Sequence, residues 1–177
     1  WNNAPGPALA RGEAALRLLP QHTRRWCEVI VALMFMVHSG APEPAAMKPG
    51  ELVEIVLTTP ATAATRPLLA ETVGWLCTIG VMGADEALAD AMYARLLELG
   101  REGEGDNLVQ TWVNWGTADY IYYRQPAPWT AYLIGQRGLQ DFLQIGDRPK
   151  SLLMRTALGL QMFDLGERGA GEALLRA

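Results

Sequence analysis

The side chains that most often carry catalysis are scarce in this chain. Among 177 residues there are two histidines, two cysteines, two serines and two lysines. His22 and His38 stand 16 positions apart, neither at i, i+4 from another ligand, which excludes an H-E-x-x-H metal site. Cys27 and Cys77 each lie in an apolar stretch, far from any C-x-x-C spacing. They read as buried, reduced thiols, which fits a cytoplasmic location better than a secretory one. Ser39, in Val37-His38-Ser39-Gly40, lacks the first glycine of a nucleophile elbow, and Gly40 reads there as a helix end. No catalytic, metal-binding or cofactor-binding residue is expected, so the chain is read as a non-enzyme that needs no cofactor.

Charge and apolar runs exclude further classes. The formal net charge is −4 and no basic cluster exceeds Arg24-Arg25, so nucleic acid and anionic membrane are not expected partners. The longest apolar run, Val29 to Val37, has nine residues, and no signal peptide is recognised. Nine is about half of what a membrane span requires. Thirteen Arg against two Lys, with abundant Ala and Gly, points to a GC-rich bacterial gene. The chain begins at Trp1 and stops within the helix-like run Gly171 to Ala177, so it reads as a piece of a longer protein.

What is present is helical periodicity. Half of the residues (50%) are apolar and 19% charged, and no apolar/polar alternation is bounded by hairpin turn pairs. Helices are expected near 7–19, 24–38, 50–58, 62–81, 85–100, 107–124, 128–145, 148–165 and 170–177. Breakers separate them, at Pro20, Pro42 to Pro49, Pro60, Gly83, Gly100 to Gly105, Pro126 with Pro128, and Asp147 to Pro149.

The turns recur. Gly40-Ala41, Gly83-Ala84, Pro126-Ala127 and Gly169-Ala170 follow one another at intervals of 43 residues. Val53, Leu96 and Leu139 share that spacing, as do Val56, Leu99 and Phe142, each pair falling at i, i+3 on one helix face. Trp26, Leu69 and Trp112 recur likewise until Arg155 breaks the series. A lone helical hairpin cannot bury its apolar stripe, whereas stacked hairpins bury one another's. The expected architecture over 1–177 is an all-α solenoid of about four tandem antiparallel hairpins, with a globular bundle of accidental spacing as the alternative.

The last hairpin carries Leu158-Gly159, then Met162, Leu165-Gly166, Gly171 and Leu175, and Trp115-Gly116 repeats the large-small pair 43 residues earlier. This pattern resembles the tetratricopeptide (TPR) repeat, most clearly over the last 25 or so residues. The whole run resembles degenerate TPR-like arrays beside the kinase or ATPase modules of large bacterial signalling proteins of the myxobacterial kind. A plain TPR has about 34 residues, so a longer period leaves HEAT-like packing as a rival. Asp119 stands where the TPR pattern places a large apolar residue, and Pro67 falls inside an expected helix.

Two local features invite a ligand. Gly100-Arg-Glu-Gly-Glu-Gly105 has no lysine to meet a phosphate, and its carboxylates Glu102 and Glu104, with Asp106, lack EF-hand spacing, so it reads as an acidic inter-helix loop. Trp112, Trp115, Tyr120, Tyr122, Tyr123, Trp129 and Tyr132 fall within 21 residues, half of all the aromatics. Trp112 and Trp115 are expected in the core between hairpins. Tyr120, Tyr123 and Arg124, at i, i+3 and i+4, share a stripe and are the expected partner-binding residues, with a half-buried tyrosine face as the alternative.

The resemblance implies a non-catalytic protein–protein interaction or regulatory scaffold segment, binding a protein or peptide, or adjacent domains of its parent chain, in a groove lined by first helices. The rival is a small-molecule-sensing repeat that controls an attached effector, which an apolar pocket with a few inward polar groups near Trp115 and Asp119 would favour.

Overall fold

The computed structural model of the chain describes residues 5–38, 49–83 and 85–176. Ser39, the Gly40-Ala41 turn and Ala84 lie outside the described residues. Within them the chain forms nine helices and no strand: α1 (Pro5–Leu18), α2 (Arg24–His38), α3 (Pro49–Thr58), α4 (Arg66–Met82), α5 (Glu86–Glu102), α6 (Asn107–Arg124), α7 (Pro128–Gln144), α8 (Arg148–Asp164) and α9 (Arg168–Arg176). The expected boundaries hold to within a few residues. The largest departure is α4, which starts at Arg66 rather than 62 and places Pro67 in its first turn, where a missing N–H costs no helical bond.

Carboxylates start three of these helices. Asp85 accepts from the Leu88 N–H at 3.0 Å, Asp106 from Leu108 and Val109 at 3.0 and 3.3 Å, and Asp147 from Lys150 at 3.1 Å. Each satisfies a donor that the helix leaves unpaired, a contribution of about 1 kcal/mol. The acidic residues at these turns are thus largely accounted for by helix initiation.

The helices pair as α4/α5, α6/α7 and α8/α9, with α1 on α2 and a slight contact of α3 with α4. Within each of the three pairs the helices run antiparallel: Arg66 at the start of α4 pairs with Glu102 at the end of α5, Gly135 and Gly138 of α7 face Ala118 and Asn114 of α6, and Gly159 and Phe163 of α8 face Leu175 and Gly171 of α9. First helices lie parallel, with Gly74 against Trp112 on α4/α6 and Lys150 over Trp112 on α8/α6. Tandem antiparallel hairpins are therefore the architecture. The first helices of the three hairpins open at Arg66, Asn107 and Arg148, at intervals of 41 residues, and α2 packs on α4 ahead of them.

Helix starts thus recur slightly faster than the 43 residues that separate the buried Val56, Leu99 and Phe142. Pro126-Ala127 does separate α6 from α7, but Gly169-Ala170 lies inside the first turn of α9. The chain reverses instead at Gly166, whose φ of 84° suits a residue without a Cβ. The series Trp26, Leu69 and Trp112 continues at Met154, 42 residues on, rather than at Arg155, and all four are buried.

One core runs through the array. Val56, Leu99 and Phe142 are wholly buried in it, as the repeat anticipates. Helix α4 is its axis: packed by α2, α5 and α6, it is buried without a break from Thr72 to Thr78. Backbones approach closely in the α4/α5 hairpin, where a Cβ on Gly80 would sit 2.8 Å from the Ala89 nitrogen, so only glycine fits.

Candidate functional site

Trp75 on α4 lies 5.9 Å from Trp112 and 5.2 Å from Trp115 between ring centroids, and Phe142 of α7 meets both α6 tryptophans edge-on at 5.4 and 5.9 Å. The expected core role of Trp112 and Trp115 is what the structure shows. Lys150 of α8 caps the cluster, its Nζ 5.6 Å from the Trp112 ring, 2.8 Å from Asp147 and 3.2 Å from Glu71 of α4. Burial raises the Glu71 carboxyl above its usual range against the opposing pull of Lys150.

Beside this cluster is a buried polar chain. The Trp115 Nε1–H donates to Thr78 Oγ1 at 3.0 Å, and the Thr78 hydroxyl donates to Asp119 Oδ2 at 2.5 Å. Asp119 is 9% exposed, and burial pushes its carboxyl up to about 6, with the Thr78 and Trp115 hydrogen bonds pulling the other way. An acid here replaces an apolar contact with a hydrogen-bonded one between first helices. Cys77 is also held inside, its thiol raised to about 12 by burial first and by Asp119 second, and it is unreactive for that reason.

The three expected partner-binding residues are divided. Tyr120 stacks on Tyr93 of α5 (4.0 Å, 10°) and its hydroxyl donates to Asp90 at 2.7 Å. Arg124 joins the same seam, with Nη1 2.6 Å from Glu86 and Nη2 3.8 Å from Asp90. Both therefore fasten α6 to α5. Tyr123 instead remains 49% exposed beside Tyr122, whose hydroxyl donates to Asp164 of α8. Replacing Tyr120 with Ala is expected to destabilise the chain by about 1 kcal/mol through loss of the stack, with Tyr120→Phe close to wild type; thermal denaturation of the pair checks this.

Among the clefts between the described residues are three of about 430–530 Å³. One of about 430 Å³ lies between α1 and α2 and includes Gly12, Arg25, Glu28 and Met36, and one of about 520 Å³ lies at the α5–α6 turn with Arg101, Glu104 and Gln110. The third, about 530 Å³, lies between α7 and α9. Its walls are Leu139, Leu158 and Leu174, and its rim carries Leu133, Gln136, Arg137, Gln140 and Asp141, the last engaged by Asn114. Leu133 is 56% exposed, and Arg137 takes part in none of the ion pairs. Neither Trp115 nor Asp119 lines any of the three. The polar groups expected to invite a small ligand satisfy each other instead.

Among the described residues, no group of three His, Cys, Asp or Glu is placed to hold a metal ion, and no helix is long and apolar enough to cross a membrane. The α7–α9 cleft escaped sequence reading because its residues come from three helices whose packing no local spacing encodes. No family model, curated protein or solved structure matches the chain.

Proposed function

We propose that this chain is a non-catalytic interaction segment of TPR-like type, a regulatory scaffold of a bacterial signalling protein acting in a reducing, cytoplasmic setting. Its partner is a protein or peptide segment that presents leucine-sized side chains and an acidic group to the α7–α9 cleft. The observation that carries this reading is the cleft itself: apolar walls, an exposed Leu133 and an Arg137 outside every ion pair. Peptide recognition pairs an apolar anchor in a pocket with polar groups at the rim. The first-helix groove is a poorer site, because α4 is buried from Thr72 to Thr78 and the Lys150–Glu71 contact spans it.

A photo-crosslinking amino acid at Gln136, introduced into the chain in its native host, tests the reading. A discrete partner is expected, and Leu133→Asp combined with Arg137→Glu should weaken its binding roughly 30-fold while the helical circular dichroism is unchanged. A partner that binds the double variant as tightly as wild type overturns the assignment of the cleft.

A further inference from the structure

Helix α4 is packed by α2, α5 and α6, whereas α8 packs on α7 and α9 and keeps one bare face among the described residues. Ser151, Met154, Leu158, Gln161 and Met162 point into the array and are buried. On the outward side Leu152 is 61% exposed, Leu160 56% and Leu153 41%. A helix apolar on two opposite faces is built to be covered on both.

The bare face is ordered as well as apolar. Residues four apart form one ridge along a helix, and the exposed ridge of α8 reads Arg148, Leu152, Thr156, Leu160, Asp164. Base, leucine, threonine, leucine, acid is its own complement when reversed. Laid antiparallel on a second α8 about a two-fold axis at Thr156, Leu152 meets Leu160 of the other copy and Arg148 meets Asp164. The charges are available for this. Among the described residues, Arg148 enters no ion pair and Asp164 has only the Tyr122 hydroxyl as a partner.

We infer that the outward face of α8 docks a second copy of this chain, forming an antiparallel α8–α8 two-fold interface in which Leu152 packs on Leu160 and Arg148 pairs with Asp164. Such an interface is isologous, using each pair twice, and it lies on a different face of α8 from Leu158 in the α7–α9 cleft. One helix pair falls at the small end of interface sizes.

Sedimentation velocity from roughly 1 to 300 μM tests this. A monomer–dimer shift is expected for wild type, and Leu152→Glu with Leu160→Glu should leave only monomer. Arg148→Glu and Asp164→Arg should each raise the dissociation constant about tenfold, while the two together restore it. Tyr122→Phe, which removes the other partner of Asp164, should leave the dimer unchanged. Thr156→Cys gives an independent reading: oxidation should link two chains through the residue on the two-fold axis, with Glu172→Cys linking far more slowly. A wild type monomeric at every concentration overturns the inference, as does a dimer indifferent to the leucine changes or not restored by the charge exchange.

Discussion

Trp112→Ala should cost about 3–5 kcal/mol, the largest loss expected of any single replacement in this chain. Trp112 is 2% exposed and packs on Trp75, Trp115 and Phe142, so truncation empties the junction of α4, α6 and α7. The void has no cheap filling, since the surrounding rings belong to three helices whose separations are fixed by glycine contacts such as Gly74 on Trp112. Lys150 also loses the ring beneath it and keeps only its carboxylates. Urea denaturation followed by circular dichroism measures the loss, and Trp129→Ala, at a half-exposed tryptophan, should stay within about 0.5 kcal/mol of wild type. Equal effects at the two sites would contradict the core assignment.

The second large effect depends on pH. Burial raises the Asp119 carboxyl from 3.8 to about 6, so between these values the folded chain holds a proton that the unfolded chain has released. Protonation therefore favours the fold, and the Asp119 contribution falls as pH rises through this window. It is fully present below about pH 4 and lost above about pH 6, a swing on the order of 3 kcal/mol. Asp119→Asn cannot titrate. Its stability relative to wild type should accordingly climb by about that amount from pH 4 to 7.5, whatever constant offset the amide introduces. Taking the difference between the two proteins cancels the titration of every group that they share. A difference that does not change with pH would show that Asp119 titrates normally.

Element types and most boundaries were legible because they follow from local chemistry: apolar spacing, aspartate caps and glycine or proline breaks. The period was legible only approximately. Gly169-Ala170 looks like a turn by composition, yet Gly166 three residues earlier supplies the left-handed backbone conformation that reverses the chain. Asp119 stood out as a departure from the expected apolar residue, but its partner Thr78 lies 41 residues away and is found only by packing α4 on α6. The shared stripe of Tyr120 and Arg124 was correct as geometry. Helical spacing says which side chains share a face, not whether solvent or α5 lies opposite, and here Tyr93, Glu86 and Asp90 do.

The Lys150–Glu71 contact joins α8 directly to α4 and passes over the α6 hairpin between them. Arrays in which each unit touches only its neighbours unfold as a linear chain of coupled steps and can fray unit by unit from either end. A bond that skips a unit removes that freedom. Losing the α8/α9 hairpin strips a cation from a buried carboxylate two units away, so α4 to α8 should melt in one transition. In hydrogen exchange, the amides of α4 and α8 would then share a single opening free energy, with α1 free to open below it.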